Sequence, residues 1–468
     1  PIYYLFLSTT AMKNVSMIIN ARWVVPIVPE NTVYEFYSVV IDNGVIIDLL
    51  PTTDVAQKYT ADVVVERPTH VVMPGLINMH AHAAMSLFKA FSDDKALVDW
   101  LQKDIWPAEA AFVSPEFCVD GTKLACAEMI RSGTTCYNDM YFAIEEAART
   151  SVEIGIRSQH GLGVFGFPTS WAASPEACLI RNREFLDKYN HTNPLVTYAV
   201  APHAPYTVPE KYLIEAKALC EEKGVLMHMH VQECKAELDD SVSGKQSSSR
   251  HISDALCSPI ENLAAKGVLR DMLCAHCVHV TDKDIELLAA NHATVLHNPT
   301  SNLKLASGIA PVQRMLDAGV NVCLGTDSAC SNNNLDMFSE MRNAALVGKV
   351  AANDARALNA VTVLRMATLN AAKGLHLDQK IGSVEVGKEA DLIAVDMDHV
   401  EVWPLANILS HLVYATGRDQ VTDVWVHGQA LMTDRQLTTL KKEELRAIGE
   451  KWEKILREIG RASCRERV

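Results

Sequence analysis

The chain of 468 residues holds 17 histidines, and several sit in tight pairs at the ends of apolar runs. His80-Ala-His82 closes the run Met73-Pro-Gly-Leu-Ile-Asn78, and His228-Met-His230-Val-Gln-Glu233 closes another. Ala275-His276, His297-Asn298 and Gly325-Thr-Asp327 end three more. Side chains two apart on a strand share a face, so each His pair aims both imidazoles the same way. Neutral imidazole is the commonest metal ligand. Nitrogen donors with one carboxylate suit Zn²⁺ or Fe²⁺ and leave a position for water. Such an ion makes water acidic near neutrality, and a carboxylate or imidazole beside it can move protons. The chemistry is hydrolytic attack on an electrophilic carbon. Cys274 and Cys277 have CxxC spacing but no second pair, and they lie in the apolar run Asp271–Val278. They read as buried, reduced thiols.

These residues need a scaffold that brings distant strand ends together. Eight buried-strand candidates occur in sequence: Val72–Ala81, Thr134–Asp139, Arg157–Leu162, Val196–His203, Val225–Val231, Met272–Val278, Ala293–Asn298 and Val320–Thr326. Helical patterns such as Pro115–Arg131, Ile144–Ile154, Glu210–Lys223, Asp282–Asn291 and Val312–Ala318 separate most of them. Eight strands alternating with helices predict a (β/α)₈ TIM barrel, whose C-terminal strand ends carry the site. A doubly wound sheet would want a Gly-rich phosphate turn after its first strand; here histidines follow. From Met17 to Val65 short β runs dominate, with a hairpin signal at Asp42-Asn-Gly44. The β pattern returns in Gly382–Asp396 and Val421–Gly428.

The expected organisation is a barrel over 71–379 and a composite β-sandwich from 17–70 and 380–437, closed by a helix over 438–458. The polar stretch Asp240–Ser249 reads as a loop or insertion. Residues 1–16 read as a leader, with Met12 or Met17 as the start. Residues 459–468 break the helical pattern and read as an artefactual tail.

Composition removes several function classes. Lys+Arg 43 against Asp+Glu 57 leaves a net charge of −14, so no basic face for nucleic acid is supplied overall. Twelve cysteines are too sparse for a disulfide scaffold, which points to a cytoplasmic protein. No apolar run reaches the ~20 residues of a membrane span. A cytidine-deaminase type of zinc site needs HxE with PCxxC, and PCxxC is absent.

The motifs together resemble the amidohydrolase superfamily: Pro74-Gly-Leu-Ile-Asn-Met-His-Ala-His82, His230–Glu233, Ala275-His276, His297-Asn-Pro-Thr-Ser-Asn302, Gly325-Thr-Asp327 and Gly387-Lys-Glu-Ala-Asp-Leu-Ile393. Within it, Trp100-Leu-Gln-Lys-Asp-Ile-Trp-Pro-Ala-Glu109, Ser132-Gly-Thr-Thr135, Asp139-Met-Tyr141, Ala201-Pro-His-Ala-Pro205 and Ser331-Asn-Asn-Asn334 are most similar to the 5′-methylthioadenosine/S-adenosylhomocysteine deaminases. The resemblance implies metal ligands His80, His82, His230 and Asp327, holding one Zn²⁺ per subunit, or Fe²⁺. It implies Glu233 as proton shuttle, His276 holding the attacking oxygen and Asp327 as its base. It places Glu109 at the ribose hydroxyls and His203 on the nucleoside. Trp106 is a candidate for stacking on the purine.

The expected reaction is deamination of an adenine nucleoside to its inosine analogue. The alternatives are a guanine or other aminoheterocycle deaminase or chlorohydrolase, and a non-catalytic barrel scaffold. The partner is a small nucleoside, with no nucleic acid and no membrane; a homo-oligomer is compatible with this. Strand four ends in Val200-Ala-Pro-His203 without a Lys, which favours one metal over two. Many family members carry an Arg where this chain has Gly161-Leu-Gly163, so methylthioadenosine or adenosine fits better than S-adenosylhomocysteine. His228 reads as a core or supporting residue. His279, His292, His251, His376 and His399 read as solvated.

Overall fold

A computed structural model of the chain describes residues 12–244 and 256–465, with side chains to 457. Two eight-stranded sheets organise it. The first is assembled from both ends of the chain: β1 (Lys13–Val24), β2 (Tyr34–Asp42), β3 (Val45–Pro51) and β4 (Tyr59–Pro74) from the front. β13 (Leu392–Asp396), β14 (Val421–Val426), β15 (Gln429–Thr433) and β16 (Gln436–Leu437) come from the back. The seam is β4, parallel to β1 on one side and antiparallel to β13 on the other. Asn43 and Gly44 both have positive φ, so the β2–β3 hairpin turns tightly where the sequence signals it. The composite unit is one continuous sheet that curls on itself: Ile46 N donates to Lys388 O at 2.8 Å, and Ile41, Ile46, Leu392 and Trp425 share a core.

The second sheet is the barrel. Its strands are β5 (Leu76–Ala81), β6 (Thr134–Met140), β7 (Arg157–Val164), β8 (Val196–Pro202), β9 (Leu226–Val231), β10 (Met272–His276), β11 (Thr294–His297) and β12 (Asn321–Leu324). All neighbours pair in parallel, as the alternation of strands and helices predicts. Between the outermost strands, Asp327 N donates to His80 O at 2.8 Å and Asn78 Nδ2 donates to Thr326 Oγ1 at 2.7 Å. Met227 and Met229 join the apolar layer around the barrel, so strand alternation turns His228 and His230 the other way.

Three expectations change. The run Val72–Ala81 is not one strand: Gly75 separates β4 from β5, and a Cβ at Gly75 would lie 2.1 Å from the Thr135 side chain. A continuous apolar run does not reveal which sheet each half joins. Lys13–Ser16 belong to β1, with Val15 buried, although they read as part of a leader. Asp240–Ser243 end a helix, Lys235–Ser243, and the rest of that polar stretch lies outside the described residues except Gly244, its C-cap. Residues 1–11 and 466–468 also lie outside them, while the last helix, Lys442–Arg465, runs into the segment read as a tail. No helix among the described residues is long and apolar enough to cross a membrane.

Candidate metal centre and active site

Two imidazoles present free lone pairs to one point, and a third presents an unpartnered ring nitrogen to it. His82 Nδ1 bonds the Met140 carbonyl and His230 Nδ1 bonds the His203 carbonyl at 2.7 Å. A carbonyl only accepts, so both Nδ1 atoms carry the proton and both Nε2 atoms keep a lone pair. Those Nε2 atoms lie 3.4 Å apart. His80 is fully buried; its Nδ1 meets His228 Nε2 at 3.0 Å and its own Nε2 has no protein partner. Asp327 Oδ1 stands 3.3 Å from His82 Nε2 and 3.6 Å from His80 Nε2. Facing lone pairs beside an orphaned buried nitrogen and a carboxylate would repel or go unsatisfied without a cation between them. The donor set fits a divalent metal, and His80, His82 and His230, or His80, His276 and Asp327, are close enough to hold one.

The other polar groups surround that point. His276 Nδ1 donates to Asn302 Oδ1 at 2.9 Å, which leaves Nε2 3.8 Å from Glu233 Oε2 and 4.0 Å from Asp327 Oδ2. Ser301 Oγ donates to Asp327 Oδ2 at 2.6 Å. Burial pushes the Glu233 carboxyl upward. Glu233 is aimed by its neighbour: Gln232 has φ 51°, donates to His279 O at 2.6 Å and accepts from Ile260 N at 3.0 Å. His276 (φ 75°) and Asp327 (φ 62°) are also in the left-handed region. Each such residue costs about 1 kcal/mol or more, an expense concentrated where strand ends must redirect side chains. Gly325 is required by space, since a Cβ there would lie 2.7 Å from His80 N.

Above this cluster opens a cleft whose lining includes His82, Trp106, Glu109, His203, His230, Glu233, His276 and Asp327. The structure therefore brings every sequence-derived site residue to one place, with His80 beneath. Trp106 and Glu109 lie on a short helix, Trp106–Phe112. Burial raises Glu109 to about 7, opposed by the Tyr141 hydroxyl and His82. His203 falls to about 4 through burial and the nearby His82. Thr207 gives its hydroxyl hydrogen to Ala204 O, so it accepts from His203 Nδ1 at 3.0 Å and leaves Nε2 of the neutral ring as an acceptor.

His228 is the supporting residue expected, against the back of His80. His279 is not solvated; it bonds the Ser307 carbonyl. His292 and His376 are exposed, His399 is half-exposed and pairs with Asp396, and His251 lies outside the described residues. Sequence reasoning missed Tyr141, Phe142, Phe165 and Phe167 in the cleft wall. Phe165 and Phe167, two apart just after β7, carried the same alternation signal as the His pairs.

Residues 71–431 match the amidohydrolase family. The chain belongs to the amidohydrolase family. This amidohydrolase is 40% identical over 438 residues to a 5-methylthioadenosine/S-adenosylhomocysteine deaminase of Saccharophagus degradans, covering 93% of this chain and 96% of that one. It is 40% identical over 409 residues to a 5′-deoxyadenosine deaminase of Methanococcoides burtonii, covering 87% and 90%. A solved adenosine deaminase from Xanthomonas campestris with bound zinc superposes with a TM-score of 0.92 at 41% identity, covering 96% of this amidohydrolase and all of that chain.

Proposed function

We propose that this amidohydrolase is a hydrolytic adenine-nucleoside deaminase, replacing the amino group at purine C6 by oxygen and releasing ammonia. The observation that carries the reading is the convergence of the His80, His82 and His230 Nε2 atoms and the Asp327 carboxylate at the foot of a cleft that also holds Glu109. The relatives named as deaminases of 5-methylthioadenosine/S-adenosylhomocysteine and of 5′-deoxyadenosine support it, over 96% and 90% of their lengths.

His80, His82, His230 and Asp327 would hold the ion, Zn²⁺ by donor type, with Fe²⁺ chemically acceptable. When bound, the ion supplies Lewis acidity that lowers the pKa of water it contacts. Asp327 accepts a proton from the attacking water, and His276 Nε2 holds the oxygen against C6. Glu233, whose carboxyl burial pushes upward, gives a proton to the adjacent ring nitrogen as C6 becomes tetrahedral. The proton on Asp327 then passes to the departing amino group; as the C6–N bond breaks, the C6 hydroxyl gives its proton back to Glu233 and becomes the carbonyl, so water adds, ammonia leaves and every side chain returns to its starting state. His203 Nε2 and Glu109 accept hydrogen bonds from the sugar hydroxyls and orient the base.

A substrate panel tests this. Adenosine, 5-methylthioadenosine, S-adenosylhomocysteine and guanine are incubated with metal-loaded protein, and ammonia and product absorbance are followed. Turnover of the nucleosides with none of guanine is expected. Turnover of guanine alone would overturn the reading.

A further inference from the structure

The helix Pro299–Lys304 carries two side chains that aim the site, Ser301 on Asp327 and Asn302 on His276, yet it has only six residues. A helix that short does not hold its own register in water. What fixes it is the neighbouring helix Met337–Ala352, sixteen residues long and anchored in the core by Met337, Phe338, Met341 and Ala345. Glu340 and Asn343 lie three apart on that helix and so share a face. Both reach the first turn of the short helix: Thr300 N donates to Glu340 Oε2 at 3.2 Å, and Asn343 Nδ2 donates to Thr300 Oγ1 at 2.8 Å. The other Glu340 oxygen serves the end of β12. Asn332 Nδ2 donates to Glu340 Oε1 and to Thr326 O, each at 2.8 Å, while Asn332 N donates to Ser328 O at 3.0 Å. Thr326 and Ser328 flank Asp327, whose left-handed backbone, φ 62°, persists only where its surroundings determine it. Glu340 is fully buried and does not line the cleft. Burying a carboxyl is costly unless its oxygens are hydrogen-bonded, and both oxygens here are used on groups that set Asp327.

Resting on the metal-dependent deaminase reading above, we propose that Glu340 is a positioning residue for the reaction. One of its oxygens sets the Asp327 side chain through Thr300 and Ser301, and the other sets the Asp327 backbone through Asn332. An amide at position 340 would have one acceptor oxygen for two donors, and its NH₂ group would oppose an N–H of either Thr300 or Asn332. One arm then opens, and Asp327 shifts against His80, His82 and His276. A displaced carboxylate loses metal affinity and kcat together. Glu109 and His203 lie on other elements, so the sugar contacts and KM hold.

The test is a double-mutant cycle on Glu340→Gln and Ser301→Ala. It is read first in Zn²⁺ affinity, by competition with a chromophoric chelator, then in kcat and KM for adenosine on the zinc-saturated proteins. Each single variant should weaken Zn²⁺ binding and lower kcat by at least ~10-fold, with KM within ~3-fold of wild type. Because both act on the one Asp327 carboxylate, the double variant should lose at least ~3-fold less than the product of the two single losses. Independent damage to the fold would multiply through and leave no such shortfall. If Glu340→Gln does not fold, Asn343→Ala, at a half-exposed position, opens the Thr300 anchor alone, and its smaller loss should vanish in the Ser301→Ala background. Unchanged Zn²⁺ affinity and kcat, a loss carried by KM, or losses that simply multiply would overturn the proposal. Wild type that binds Zn²⁺ but deaminates no nucleoside would instead overturn the deaminase reading, and the Zn²⁺ cycle would still decide what sets Asp327.

Discussion

Glu109→Ala separates a sugar-binding role from a structural one. Glu109 faces the cleft from the helix Trp106–Phe112, beside the Tyr141 hydroxyl, and burial raises its pKa to about 7. A carboxylate there can accept both hydroxyls of a 2′,3′-diol. A hydrogen bond to a charged group contributes about 1.5–3 kcal/mol net, and because Glu109 is partly protonated at neutral pH the pair should total no more than that range. The expected loss in kcat/KM for adenosine is therefore ~10–150-fold. Removing the carboxyl also disturbs Tyr141, a cost shared by every substrate. Comparison with 2′,3′-dideoxyadenosine cancels it, because that analogue has no diol to lose. The assay follows the change in purine absorbance for both substrates with wild type and variant under one buffer. Equal losses on both would refute the reasoning and assign Glu109 to shaping the wall.

Purified protein should contain about one equivalent of divalent metal per chain, and strong chelation should abolish turnover; metal analysis giving two equivalents, or full activity after stripping, contradicts a single centre. Glu233→Gln should retain the metal while kcat falls at least ~10²-fold, whereas His230→Ala should lose metal and activity together. Glu340 is fully buried, accepts from Asn332 Nδ2 at 2.8 Å and Thr300 N at 3.2 Å, and is raised by burial from 4.5 to about 7. The folded state thus binds the extra proton between those values, so the contribution of Glu340 to stability is fully present below pH 4.5 and is lost as pH rises through 7, by up to ~3 kcal/mol. Thermal melts of wild type and Glu340→Gln at pH 5 and pH 8 check this: the wild type should lose ground to the variant at pH 8, and a constant difference in Tm refutes it.

What the sequence determined by itself was local and periodic. Alternation along single strands paired His80 with His82 and His228 with His230, and the alternation of strands with helices implied the barrel whose rim gathers them. These features depend on residues a few positions apart, and strand geometry translates them directly into facing side chains. The tertiary structure decided what depends on distant segments meeting. Gly75 splits one apolar run between two sheets because Thr135 crosses beside it. His228 backs His80 from 148 residues away, and Asn302 and Ser301 orient His276 and Asp327 from the next strand's turn. The aromatic wall of Phe142, Phe165, Phe167 and Trp106 joins the segments that follow three different barrel strands. Which side chains share a pocket is set by how eight strands stagger and close, and that pairing is written in no single stretch of the chain.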